Sequence, residues 1–240
     1  MRRALPLLAA LAGLAAASPA LAGGGAHVVD DADVETAGHC HLEIWGTYLN
    51  PKANLANFGP GCTSAALPEF EIGGFVQPSR STGAASAGSQ ATDATGAGID
   101  DLLGPALKYT FRPEKTGLGL AVEGGFTYDA TLRQMEAGAL LGVASWQATR
   151  RLQVNLNAGP QYIAADRRVE TFLGAQAMVD LGRNVYLMAE HFGRTRGFAG
   201  DQAGVRWTPH NGNVDFDLVV GRRIDGVARR AFTLGVTLRR

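Results

Sequence analysis

The chain has 240 residues, with 22 Lys and Arg against 22 Asp and Glu, so its formal charge is zero. Bulk charge therefore does not draw it to nucleic acid. Charged residues are only 18% of the chain, against about 25% in a typical soluble domain, and Gly fills 32 positions, a composition unlike that of a cytosolic enzyme.

Residues 1–22 read as a secretory signal peptide. Met1-Arg2-Arg3 is a positive start, Ala4 to Ala17 an uncharged apolar core, and Ala20 and Ala22 the small residues of a cleavage site after Ala22. The core is shorter than the ~20 residues of a spanning helix, which argues against a membrane anchor. No Cys follows the cleavage site, so a lipoprotein anchor is not expected. Residues 23–38 form an N-terminal periplasmic segment carrying Asp30, Asp31, Asp33 and Glu35. It reads either as a solvated acidic tail or as a segment that lines or plugs a mouth.

Export decides how the cysteines are read. Cys40 and Cys62 are the only pair and reach an oxidising compartment, so a disulfide between them is expected. It would close a stretch containing Pro51, Gly59, Pro60 and Gly61 that shows little pattern of its own. A metal site on His39-Cys40-His41 is disfavoured, because on a strand the two His point to one face and the Cys between them to the other.

From residue 39 onward the chain alternates with period two, the mark of strands with one apolar face. Near the start, Leu42, Ile44 and Tyr48 oppose His41, Glu43 and Thr47, with Trp45 on the second face. Phe70, Ile72 and Val76 oppose Glu69, Glu71 and Gln77; Leu103, Leu107, Tyr109 and Phe111 oppose Gly104, Ala106, Lys108 and Thr110. Further segments start near Leu118, Glu136, Leu152, Val169, Val185, Gln202, Val214 and Phe232. In the clearest of these, Leu152, Val154, Leu156 and Ala158 oppose Gln153, Asn155, Asn157 and Gln161. Around residue 140, Ala137, Ala139, Leu141 and Val143 form the apolar set, opposite Glu136, Gly138 and Gly142. This makes eleven strands. Bacterial single-chain barrels carry even numbers, and a twelfth is expected within Ser79 to Gly98, which otherwise reads as a flexible loop. Short turns are expected at 113–117, 181–184 and 210–213.

A soluble sandwich alternates too, but its polar face would be rich in Lys, Glu and Asp. Here that face mixes Gly, Thr, Asn and Gln with isolated charges, which suits a narrow wet interior. The apolar face runs uncharged for about nine or ten residues, the length of a tilted membrane strand. Tyr109, Phe111, Tyr128 and Trp207 fall near strand ends, where interface girdles form. The expected fold is an all-β, antiparallel, up-and-down transmembrane β-barrel of about 12 strands over residues 39–240.

The mature start, Val28-Val29-Asp30-Asp31-Ala32-Asp33-Val34-Glu35 followed by Gly38-His39-Cys40-His41-Leu42-Glu43, resembles an outer-membrane family named for the MetA pathway of phenol degradation. Leu103 to Phe111 resembles its Lys-Tyr strand. The resemblance implies a transporter-like barrel and a hydrophobic or aromatic cargo. One departure stands out: the chain ends Thr237-Leu238-Arg239-Arg240, with its last aromatic at Phe232, where such barrels end on an aromatic.

The candidate lumen-lining residues are Glu43, Glu69, Glu71, Lys108, Glu123, Glu136, Glu170, Glu190, Arg206, Asp215 and Asp217. Such groups either pair across the lumen and stiffen it or line a pathway. No catalytic residue, metal site or cofactor is expected: no G-x-S-x-G occurs, and the five His have no evident Ser and acid partners. The expected function is passive passage of small molecules across the outer membrane. The expected partners are outer-membrane lipid, the barrel-assembly machinery and a small solute, with no nucleic acid. A non-conducting structural or surface-interaction barrel and a soluble periplasmic lipid-binding β protein remain as alternatives.

Overall fold

Alternating side chains commit each segment to one sheet face, and successive hairpins leave no free edge once the first strand meets the last. The computed structural model describes residues 26–50, 53–82, 97–114, 117–164, 166–196, 199–209, 212–223 and 230–240. The expected signal peptide lies outside them. The strands are β1 (Cys40–Asn50), β2 (Ala53–Thr63), β3 (Phe70–Thr82), β4 (Ala97–Arg112), β5 (Leu118–Asp129), β6 (Gln134–Gln147), β7 (Leu152–Ile163), β8 (Arg168–Gly182), β9 (Val185–Arg194), β10 (Ala199–Trp207), β11 (Val214–Arg223) and β12 (Ala231–Arg239). Each pairs antiparallel with its sequence neighbours, and β1 pairs with β12 from His41↔Arg239 to Tyr48↔Phe232, closing the barrel. Two backbone hydrogen bonds of 2.8 Å join Cys40 and Arg240, so both ends of the barrel sequence lie at one rim.

The twelfth strand is β2, not a segment within Ser79–Gly98. Ser79–Thr82 and Ala97–Gly98 instead extend β3 and β4, and residues 83–96 lie outside the described residues. In β2, Leu55, Asn57, Gly59, Gly61 and Thr63 face inward while Asn54, Phe58, Pro60 and Cys62 face outward. Its glycines and proline hid that alternation. Pro60 has no N–H to give, and the β2–β3 ladder skips from Phe58↔Val76 to Gly61↔Gly73 around it. Asn50 to Leu67 is therefore mostly strand rather than a long loop. Cys40 and Cys62 sit directly opposite each other on the outer face and form the expected disulfide, which fastens the β1–β2 hairpin at the rim that carries the chain ends.

The outer surface is an apolar band of Leu, Val, Ile and aromatic side chains. Near the rim with the chain ends, Trp207 stacks on Phe216 with ring centroids 5.6 Å apart, and Tyr109 meets Phe111 edge-on at 5.1 Å. At the 183–184 turn, Arg183 and Asn184 both have positive φ, 56° and 60°, the two-residue geometry whose twist matches antiparallel strands.

One strand reverses the expectation. In β6 the apolar set Ala137, Leu141 and Val143 faces the interior and is buried, while Leu140 and Trp146 face out. Glu136 joins the inward set only because a bulge between β5 and β6 places it there. A Cβ at Gly159 would collide with the Leu140 carbonyl oxygen. Gly159→Ala is therefore expected to cost about 1–3 kcal/mol, the usual range for overpacking. The readout is the urea midpoint of the refolded barrel, and an unchanged midpoint would contradict this strand packing.

Candidate functional site

The apolar inner face of β6 has a partner because residues 26–35 lie inside the barrel. The segment winds around the inner wall. Glu35 sits beside β3 and β12, Ala32 against β4 to β6, Asp30 between β4 and β7, Val29 against β6, β8 and β9, and Ala26 beside β1 and β11. Val29 packs with Leu141, Phe172 and Phe192; Ala32 with Ala121 and Val143; Ala26 with Trp45, Leu55 and Val219.

An irregular backbone inside a barrel needs partners for its amides, because buried unpaired polar groups are costly. The wall supplies them. Val29 N–H donates to Glu190 at 2.9 Å, Asp30 N–H to Asn157 Oδ1 at 2.7 Å, Ala32 N–H to Ser145 Oγ at 2.8 Å and Glu35 N–H to Glu71 at 2.7 Å. In return Asn157 Nδ2 donates to the Asp30 carbonyl at 2.9 Å, Thr110 Oγ1 to that of Ala32 at 2.7 Å and Gln202 Nε2 to that of Ala26 at 3.0 Å.

Charge pairs fix the same arrangement. Arg206 holds Asp217 with two hydrogen bonds, 2.8 and 2.9 Å, and its Nη1 lies 3.9 Å from Asp215. His27 stands between Glu190 at 3.2 Å and Asp217 at 3.9 Å. Lys108 Nζ is 2.9 Å from Asp30 and 3.7 Å from Asp31. Arg239 bridges Asp215 at 2.7 Å and Glu35 at 3.3 Å, and His41 lies 3.8 Å from Glu35. Toward the other rim Glu170 is paired by Arg168 and by Arg194.

Of the candidate residues, Lys108, Glu136, Glu170, Glu190, Arg206, Asp215 and Asp217 are buried on the inner side. Glu43, Glu71 and Glu123 line a remaining cavity of about 130 Å³ together with His27, Asp30 and His41. Glu69 does not reach the lumen: it lies in the exposed turn before β3, where its carbonyl accepts from Thr110 N–H. Sequence reading left out His27, His41, Arg194 and Arg239 and the amides of Asn157 and Gln202. The one available signal was parity: Asn157 and Gln202 sit on polar strand faces, as His41 does.

A family model described as Uncharacterised conserved protein UCP029691 matches residues 10–240. The chain belongs to that family. This match does not confirm the MetA-pathway family that the N-terminal motif resembles. No curated protein matches the sequence. Among solved structures, the chain is similar to the KdgM porin, with a TM-score of 0.62 at 8% identity over 82% of this chain and 98% of that one. It is similar to the NanC porin, at 0.60 and 6% over 82% and 98%. The COG4313 outer membrane channel from Pseudomonas putida F1 gives 0.59 and 10% over 88% and 98%. These likenesses show a shared fold, the closed twelve-stranded antiparallel barrel of porin-like outer-membrane proteins.

Two predictions come from these contacts. Arg206→Met leaves Asp217 and Asp215 buried beside a neutral side chain and is expected to cost about 3–5 kcal/mol, measured by urea unfolding; a loss below about 1 kcal/mol would show that the pair is solvated. The second concerns the rim, where Glu114 N–H donates to Asp33 Oδ1 at 2.9 Å. Burial, with Asp33 beside it, pushes the Glu114 carboxyl up to about 7 from its ordinary 4.5. A raised carboxyl favours the folded contact when protonated, so the contact weakens as pH rises from about 4.5 through about 7. A spin label at Val34 is expected to gain mobility between pH 5 and 8, and Glu114→Gln to flatten that change. A label equally mobile at both pH values would contradict it.

Proposed function

We propose that this protein is a non-enzymatic outer-membrane channel whose own N-terminal segment narrows the lumen to a small, acidic passage. The observation that carries the reading is residues 26–35 hydrogen-bonded inside a closed polar-walled barrel, leaving a cavity of about 130 Å³. Export by the 1–22 signal peptide and insertion by the barrel-assembly machinery belong to the same proposal, as does passive passage of a small solute.

The cavity's charge argues for what passes. The carboxylates of Asp30, Glu43, Glu71 and Glu123 line it together with Lys108 and the imidazoles of His27 and His41. Carboxylate-lined pores favour cations. One of the neighbouring structures is the KdgM porin in complex with disordered oligogalacturonate, a polyanion. This cavity has the wrong sign for such a solute. Trp45, Phe75 and Phe126 also line the cavity, but a wholly hydrophobic or aromatic cargo, the one implied by the MetA-pathway resemblance, would give these carboxylates no hydrogen bond. Small cations and cationic or neutral polar solutes fit best.

A second reading, a barrel that conducts nothing and acts through its surface, is favoured by the closeness of the segment to the wall on nearly every side. Planar-bilayer conductance separates the two. The mature chain, Gly23 to Arg240, is expected to give small, cation-selective current steps, and deletion of residues 23–38 to enlarge them, with heat-dependent gel mobility confirming that both fold. Glu43→Gln with Glu71→Gln is expected to reduce the reversal potential in a KCl gradient. Folded barrels that pass no current with or without residues 23–38 would leave only the surface reading.

A further inference from the structure

We propose that the outer face of β8 to β11 binds a phosphate-bearing, acylated lipid of the outer leaflet, its phosphate held by His191 and Arg222 and an acyl chain lying in the trough beside them. The proposal rests on the outer-membrane placement argued above.

The register builds this face from three parallel rows. His191, Asp201 and Arg222 are direct cross-strand partners on β9, β10 and β11. One step along each strand on the same face, Ala177, Ala189, Ala203 and Val220 are partners in turn. One step further, Val179, Leu187, Val205 and Leu218 make the third row. The small middle row lies between charged side chains and branched apolar ones, which leaves an open trough of about 720 Å³.

The charged row is what assigns the occupant. His191 Nδ1 is 2.6 Å from Asp201 Oδ1, and Arg222 Nη2 is 3.5 Å from Asp201 Oδ2. All three side chains are exposed on the outer face, whereas the wall pairs described above point inward. A charge facing hydrocarbon is costly at the membrane midplane and far less so near the interface. The row meets that condition, since Asp201 is two residues inside the start of β10 and Arg222 one residue from the end of β11. That rim is the one opposite the chain ends, the outer-leaflet side when residues 23–38 enter from the periplasm as the sequence reading expects.

The row holds one carboxylate, Asp201, shared between the His191 imidazole and the Arg222 guanidinium. Arg196 in the β9–β10 connection and Arg230, just before β12, are exposed at the same rim. An arginine fork takes a phosphate in a bidentate grip, and the apolar trough begins where that phosphate would sit. A lipid with phosphate and chains matches both halves of the site. A second copy of the chain does not match as well, because an isologous contact would set Arg222, Arg196 and Arg230 near their own equivalents.

The test is native mass spectrometry of the mature protein in detergent with diphosphorylated lipid A, the same lipid with both phosphates removed, and inorganic phosphate. A one-to-one lipid A adduct that survives detergent removal is expected, with at least tenfold less of the dephosphorylated lipid. His191→Ala with Arg222→Gln is expected to reduce the adduct about tenfold. Ala203→Leu, which fills the trough and leaves the charges intact, is expected to do the same. Equal binding of the dephosphorylated lipid, an adduct unchanged in both variants, capture of inorganic phosphate in place of the lipid, or a lipid-free dimer would each overturn the proposal. Gel mobility verifies that the variants fold, and since the altered residues face outward, bilayer conductance should be unchanged. A silent barrel that still binds lipid A would refute the channel and leave this site standing.

Discussion

The structure depends on one exchange: a polar wall satisfies the backbone of a segment that has no secondary structure of its own. Residues 26–35 cannot pair as a strand inside a closed barrel, because every wall strand already has two partners. Their N–H and C=O groups need side-chain partners at specific heights, and Asn157, Ser145, Thr110, Gln202, Glu71 and Glu190 supply them. Net hydrogen-bond gains are modest, but leaving such a group buried and unpaired is expensive. The wall therefore specifies one path for the segment more than it rewards it with energy.

Ion pairs reinforce that specificity. Burying Arg206 with Asp217 and Asp215, or Lys108 with Asp30 and Asp31, removes several charges from water, and attraction in a less polar interior roughly offsets that cost. What such pairs add is discrimination, since a misplaced segment strands a charge. Asp30 to Lys108 and His27 to Glu190 and Asp217 are contacts between the segment and three different strands. They fix the segment's position around the barrel as well as its depth.

Much of the fold was legible in local pattern, because a strand's two faces are a two-residue property. β7 shows it most plainly, with Gln153, Asn155 and Asn157 inward and Leu156 outward, and β12 does the same with Thr233 and Thr237 against Leu234 and Leu238. β2 escaped because Gly59, Pro60 and Gly61 carry no contrast in polarity across the pleat. β6 was misread for another reason: its apolar face has an apolar partner inside the barrel, and nothing local announces that partner. Asp30 meets Asn157 across 127 residues of chain, and His27 meets Glu190 across 163. The polar faces were visible as polar, but not as a set of docking groups for ten residues near the start.

The chain's last residues tie the segment to closure. At the end of β12, Arg239 turns inward and bridges Asp215 of β11 and Glu35 of the segment. His41, its direct cross-strand partner on β1, also reaches Glu35. The seam between first and last strands is thus the place where the segment is anchored. Glu35 has both of these partners only when β1 and β12 are in register, so the end of the segment at Glu35 is held at the seam. A barrel with the seam open would expose Glu35, His41 and Arg239 to water, where such pairs contribute little. Register at the seam and the anchoring of Glu35 are in that sense coupled, and Arg239 and His41 are the residues that couple them.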